Sequence, residues 1–450
     1  MAANNGSNGW NIRGLLKVPD IRQRLLFTFL ILVVCRLGAQ IPIPGVSRDV
    51  FASWFSAQTS GAISLFDMIT GGSFSQMSIF ALSISPYITA SIIMNLMTIV
   101  IPALEELQKD QDGREKMQEY TFYLSIALST LQAVAMGIGF YRNGYLQNSS
   151  VLALIVAIAA MVAGANALIF FGEQITKHGI GNGISMILLF NIISRLPSDI
   201  LTLWSKFVSG KHPALAVLAV VIIVAVIVFM VAFVVVLQEA YVKIPVQNSS
   251  RIVGRRSMGS SGDNIPFKIN TANVIPVIFA SSLMSMPALI VSFTGKDPQG
   301  VGGWIVNMLS QNKWFNPGSA LSWSYTVGFV IYVILVIAFA YFYTSIMFNP
   351  QEVAERLKER GSFVPGHRPG KETAAYLKKV SDSTVLIGAI GLLIVAIIPI
   401  LLSGLFDADV SFGGTSLIII VGVIIETVRQ IDSKAGERHL TGILSKSVKN

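Results

Sequence analysis

The reading turns on residues 61–101, GAISLFDMITGGSFSQMSIFALSISPYITASIIMNLMTIVI. The stretch opens as a short apolar segment that carries Asp67 and closes on Gly71 and Gly72, and from Met77 to Leu104 it holds no charge. About 20 apolar residues suffice to cross the hydrocarbon core. The pattern therefore predicts one short half-helix, too broken to span, followed by one long membrane helix from Met77 to Leu104. A non-spanning segment at membrane depth is tolerated only inside protein or beside water. On the long helix, Ile84, Ile88, Ser91 and Asn95 share one face, which turns from branched aliphatic to polar along its length. Such a face lines something wet at one end and sealed in the middle, or it packs against a neighbouring helix that Ser and Asn bond.

Composition sets the class. Of 450 residues, 53% are hydrophobic and 13% charged, and the mean hydropathy is +0.65. A soluble domain carries roughly 25% charged residues, so this is an integral membrane protein. The 33 Lys and Arg against 24 Asp and Glu give a net charge of +9, which is compatible with a nucleic-acid or anionic-lipid partner. Cys35 is the single cysteine, so no intrachain disulfide forms. The polar start, MAANNGSNGWNIRGLLKVPD, lacks the apolar core of a cleaved signal peptide.

The apolar runs are Leu25 to Ile43, Met77 to Leu104, Tyr120 to Phe140, Val151 to Phe171, Ile184 to Leu203, Ala214 to Leu237, Ala272 to Phe293, Trp323 to Phe348, Val385 to Leu402 and Phe412 to Val428, which predicts ten spanning helices. The fifth carries Arg195 and Asp199, and the tenth has 14 uncharged residues before Glu426. Their shortness fits helices shielded by protein. The N-terminus and the even-numbered loops hold 25 Lys and Arg against 6 in the odd-numbered loops, and Arg36 and Arg195 within spans complete the 33. The asymmetry puts both termini in the cytoplasm, so the broken segment enters from the outer face.

Two cytoplasmic loops are longer than connectors need. Gln238 to Asn270 has alternating flanks around a tip with Arg251, Arg255 and Arg256, a pattern that predicts a twisted hairpin. Positive-inside bias alone would also place those arginines there. In NPQEVAERLKERGSFVPGHRPGK (349–371), Asn349 reads as an N-cap, Pro350 as first-turn proline, Glu352 and Arg356 as an i, i+4 pair, and Gly361 as the stop. Beyond it, Arg368 stands between two Pro-Gly turns on a rigid tip suited to docking a partner.

Catalytic patterns are lacking. Four His and one Cys offer no zinc spacing, no HExxH, GxSxG or CxxC occurs, and no phosphate-binding loop is present. GIGNG (179–183) joins two membrane helices and reads as a tight cytoplasmic turn, not a dinucleotide loop. No catalytic residue, metal site or cofactor is expected. Carriers driven by ion gradients bury ionisable groups near mid-membrane, and the middles of helices two, three, four, six, seven, eight and nine hold none.

IPIPG (41–45), FALSISPYITASII (80–93), GEQITKHGIGNGIS (172–185), NVIPVIFASS (273–282), NPQEVAERLKERGSFVPGHRPGKET (349–373) and FGGTSLIII (412–420) resemble, in order, the signatures of the SecY family of bacterial protein-conducting channels. The resemblance covers roughly residues 15 to 429. It implies an all-α membrane protein of ten helices in two pseudo-symmetric, clamshell-hinged halves around a central pore. These would be residues 1–208, with helices one to five and a plug at 61–74, and residues 209–450, with cytoplasmic loops 238–270 and 349–378. The repeat itself is not detectable in the sequence. The implied plug residues are Ile63, Leu65, Phe66, Asp67, Met68, Gly71 and Gly72, and the implied pore ring is Ile84, Ile88, Leu188, Ile278 and Ile419. A lateral gate would carry Asn95, Thr121 and Ser282, and partner docking would fall to Arg255, Arg256 and Arg368. Ser83 and Ser85 beside Ile84, and Leu188 in place of the usual Ile, depart from commoner members without harming an apolar constriction.

The implied partners are SecE, SecG, the motor ATPase SecA, the ribosome with its rRNA, a preprotein or nascent chain with its signal sequence, and membrane lipid. The implied location is the inner (plasma) membrane. The reading is a passive conduit for unfolded polypeptides that lets new helices exit sideways into lipid. A secondary transporter is the competing class, and a membrane enzyme has no constellation behind it. Reporter fusions near Gly144, Gly210 and Lys313 are expected outside and those near Asp112, Ser260 and Gly366 inside; a cytoplasmic signal at Lys313 would undo the ten-helix count.

Overall fold

The computed structural model describes residues 19–57, 67, 70–109, 111–146, 150–209, 213–248, 252–253, 256–257, 263–294, 304–305, 308–309, 314, 322–406 and 414–447. Long apolar runs become helices because in hydrocarbon a helix satisfies its own backbone. In chain order these are α1 (Pro19–Gly38), α2 (Arg48–Ala57), α3 (Ser85–Val100), α4 (Pro102–Lys109), α5 (Gln111–Arg142), α6 (Val151–His178) and α7 (Gly183–Phe207). After them come α8 (Pro213–Glu239), α9 (Ile275–Thr294), α10 (Ser322–Met347), α11 (Pro350–Glu359), α12 (Lys371–Phe406) and α13 (Gly414–Ser447). Among the described residues six spans are long and apolar enough to cross a membrane; they lie on α5, α6, α7, α8, α10 and α12. The four other expected spans fall on α1, α3, α9 and α13.

The long helix expected from Met77 to Leu104 is replaced by something shorter. α3 begins only at Ser85 and stops at Val100, and α4 leaves at 109° to it. Two prolines account for this. Pro86 fits only a first helical turn, because further in its ring would strike the carbonyl four residues back. Pro102 pushes Ile101 into an extended conformation at φ −112°, ψ 104°. Upstream, residues 70–84 are turns rather than helix. Gly71, Gly72, Met77 and Ser83 all take positive φ there, the first two at no steric cost.

These turns lie inside the protein. Phe74, Met77, Ala81, Leu82 and Ile84 are at most 1% exposed. The loop after α1 closes their backbone groups, with the Met77 carbonyl accepting from the Ile43 N–H at 2.8 Å and the Ile79 N–H donating to the Ile41 carbonyl at 3.0 Å. From the other side α6 comes so near at Gly164 that a Cβ would stand 2.0 Å from the Ile79 carbonyl oxygen. One apolar cluster joins Phe51, Phe74, Met77 and Leu82 to Met136, Phe140 and Met161 of α5 and α6. A larger cluster is built mostly from α8, α9, α10, α12 and α13, with Leu189 and Ile192 of α7 reaching into it.

The two long loops, 238–270 and 349–371, fold as their patterns suggest. β1 (Tyr241–Asn248) pairs antiparallel with β4 (Asp263–Lys268), matching Ile244 with Ile265, and β2 (Ile252–Val253) with β3 (Arg256–Ser257) makes a two-stranded tip. β5 (Ser362–Phe363), just past α11, adds to the other edge of β1. Asn349 caps α11 by accepting from the Gln351 N–H at 3.1 Å, and Gly361 ends the segment at φ +68°. Ile244, Phe267, Ala354, Val364 and Leu377 bury a small core that ties hairpin, α11 and α12 together.

Gly164→Ala puts a methyl group into the Ile79 carbonyl, an overpacking expected to cost about 1–3 kcal/mol. Thermal unfolding in detergent should show a clear drop in midpoint for that variant and none for Ala159→Val, whose parent side chain is exposed on the same helix. Equal midpoints would mean that α6 does not clasp the turns.

Candidate functional site

The turn segment is held to α7 by charge. Asn182 starts α7 by accepting from the Ile184 and Ser185 N–H groups, and one face of the helix then presents Asn191 and Arg195 to the segment. Asp67 is fully buried and its carboxylate pairs with the Arg195 guanidinium. The other carboxylate oxygen, Oδ1, accepts from the Ser75 N–H at 2.8 Å, and the Asp67 carbonyl accepts from the Gly72 N–H and the Thr70 hydroxyl, both at 2.9 Å. A buried carboxylate without such partners would be heavily disfavoured. Asn191 Nδ2 donates to Ser83 Oγ at 3.3 Å, and Gly71 lies against the Asn191 backbone so closely that a Cβ would be 2.9 Å from its Cα. From α1, Arg36 donates to the Gly71 carbonyl at 2.9 Å.

Of the seven expected plug residues, Asp67, Gly71 and Gly72 are described, whereas Ile63, Leu65, Phe66 and Met68 lie outside the described residues. The five aliphatic ring positions divide between two clusters. Ile84 and Leu188 are buried together, with Ile88 packed on them, beside Leu32 of α1 and Leu168 of α6. Ile419 and Ile278 belong to the large cluster of the second half, and Met186 packs against both groups. Leu188 and Leu189, adjacent on α7, sit one in each cluster.

Asn95, Thr121 and Ser282 lie on α3, α5 and α9. α5 packs against both α3 and α9, and α9 packs against α10. Thr121 is buried and donates to the Met117 carbonyl of its own helix at 2.8 Å; Asn95 and Ser282 are half-buried.

In the loop between α11 and α12, Arg368 is exposed on a tip whose backbone is fixed. Its N–H donates to Glu372 Oε2 at 3.1 Å, its carbonyl accepts from the Thr373 hydroxyl at 2.8 Å, and Gly366 and Gly370 flank it at positive φ. His367 stacks on Tyr376 with ring centroids 4.3 Å apart. Arg255 lies outside the described residues, and Arg256 is placed on β3 through its backbone. Nearer the helices, Arg429 bonds Glu239 at 2.8 Å. Burial and then the neighbouring Arg429 hold the Lys268 ammonium below its ordinary range, against the pull of Glu239 and Glu426.

The GIGNG turn does more than reverse the chain. The Ile180 N–H donates to Thr28 Oγ1 of α1 and the Gly181 N–H to Gln430 Oε1 of α13, each at 3.1 Å, with Gly181 at φ +85°. One turn thus staples the first helix to the last. The sequence reading saw a glycine turn and missed its role as a donor. The Asp67 and Arg195 pair was also missed, although opposite charges in separate apolar runs are a signal that they meet. Among the described residues no cluster of three His, Cys, Asp or Glu side chains could hold a metal ion.

The arrangement defines a class, a multi-pass helical membrane protein with an interrupted, buried segment held inside its bundle. The chain belongs to the SecY family, whose model matches residues 78–428. It is 40% identical to the protein translocase subunit SecY of Streptomyces scabiei over 443 residues, covering 95% of this chain and 98% of that one. It is 35% identical to the protein translocase subunit SecY of Aquifex aeolicus over 432 residues, covering 94% and 96%. Its fold matches that of a solved protein-conducting channel with a TM-score of 0.63 at 20% identity, covering 95% of this chain and 98% of that one. It also matches Sec61 in a canine ribosome-channel complex with a TM-score of 0.59 at 19% identity, covering 95% and 97%.

Proposed function

We propose that this chain is the channel-forming subunit of a protein translocase, a passive conduit for unfolded polypeptide across the inner membrane with sideways release of new helices into lipid. The observation that carries the reading is the buried, non-helical segment 70–84, whose end delivers Ile84 into an apolar cluster with Leu188 and Ile88. Branched aliphatic side chains cannot hydrate an ion, so a constriction made of them closes by dewetting and still yields to a chain pushed through it. Ile278 and Ile419 complete the collar from the second half, across the contact that Met186 bridges. The segment 61–74 is the plug on its outer side.

The reading divides the chain into halves at residues 1–208 and 209–450 with ten spans and both termini cytoplasmic. The seam of α5 against α3 and α9, with Asn95, Thr121 and Ser282 on the three helices, then acts as the lateral gate. Arg255, Arg256 and Arg368, on the cytoplasmic tips, take the ribosome's phosphates or the carboxylates of the motor SecA. A guanidinium on a rigid turn suits both through bidentate bonding. SecE and SecG cover apolar flanks of the bundle. The work of transport comes from the motor or the ribosome, and the chain contributes no catalytic step.

Ile84→Asn combined with Ile88→Asn is expected to give ion conductance in planar bilayers, while Ile93→Asn, on the opposite face of α3, stays as tight as the parent. A silent double variant that is folded would mean that these isoleucines only pack and the pore lies elsewhere.

A further inference from the structure

We propose that Arg195 is a positioning residue for gating, and that its pair with Asp67 is a charge latch which holds the plug stem against α7 and sets how readily the channel opens. The inference rests on the channel reading above. Asp67 and segment 70–84 make three contacts with two α7 residues one turn apart: Asp67 on Arg195, Gly71 on the Asn191 backbone, and Ser83 on the Asn191 amide. Residues four apart share a helix face, so α7 presents a continuous seat. The apolar contacts and neutral hydrogen bonds of that seat are individually weak, whereas the ion pair is buried. Its acid is fully enclosed and its guanidinium only a fifth exposed. Separating a buried pair leaves a charge without a partner, which is the costly step. The pair therefore holds the barrier.

Asp199, one turn beyond Arg195, explains how the latch can open at all. It is buried and attracts the same guanidinium. When Asp67 withdraws, Arg195 keeps one carboxylate, and Asp67 meets water as the stem swings outward. Gly71 and Gly72, at φ +67° and +83°, give the stem its joint. Arg36 donates to the Gly71 carbonyl, so it fixes the pivot rather than the swinging acid. The chain thus carries one acid that moves, one that stays, and a cation shared between them.

The test uses the purified translocase complex in planar bilayers, with Ile84→Asn/Ile88→Asn as the conducting reference. Asp67→Asn and Arg195→Gln are each expected to raise the frequency of spontaneous openings by roughly tenfold or more. Reversing both charges, Asp67→Arg with Arg195→Asp, should bring the frequency back towards the parent, a rescue that loss of packing would not produce. Parent-like openings in the neutral variants, or a double reversal no better than either single change, would overturn the latch while the conducting reference leaves the channel reading standing. A silent reference would remove the channel reading and the latch together. If Arg195→Gln does not purify as a folded complex, Asp67→Asn decides alone, because it keeps the shape of the side chain and removes only the charge.

Discussion

Non-helical backbone at membrane depth has to find its hydrogen bonds within the protein, and the segment from Thr70 to Ile84 puts the surrounding helices under that demand. The loop after α1 answers part of it through Ile41 and Ile43, and the segment's own turns answer more. Gly38 on α1 and Gly164 on α6 lack side chains where Phe80 and the Ile79 carbonyl press against them. Charge supplies the remainder, through Asp67 on Arg195 and Arg36 on the Gly71 carbonyl. α7 is bound to this seat on one side and contributes Leu189 and Ile192 to the second-half cluster on the other. Any movement of the segment is therefore felt by a helix that packs into both apolar clusters.

Two further contacts join helices far apart in sequence. At one end of the bundle the GIGNG turn bonds Thr28 and Gln430 through two backbone N–H groups. Along the α5 and α9 seam the polar side chains include Thr121, whose hydroxyl is bonded within its own helix. Such a seam parts without breaking a cross-helix bond at that residue.

Much of this was legible in the sequence because the signals were local. Pro350, Asn349 and Gly361 predict α11 and its limits, and the alternation on either side of the Arg251 to Arg256 tip predicts the β1 and β4 pairing. The run from Met77 to Leu104 misled, since absence of charge says that a stretch is buried without saying that it is helical. Pro86 and Pro102 were the residues that held the correction, each marking a place where a helix begins. The union of Asp67 with Arg195, and of Gly181 with Gln430, depends on how helices far apart in sequence pack, which no local pattern encodes. The aliphatic ring positions were nameable from motif, but their division between two clusters is a property of the packed bundle.

Amide hydrogen exchange on residues 71–84 tests the central claim most directly. In the resting translocase these amides should exchange at least about a hundredfold more slowly than in an unfolded peptide of the same sequence, and they should speed up when a translocating polypeptide is trapped in the channel. Exchange close to the unfolded rate in the resting protein would show that the segment is not packed within the bundle, and equal protection in the trapped state would show that it does not move to let a chain pass.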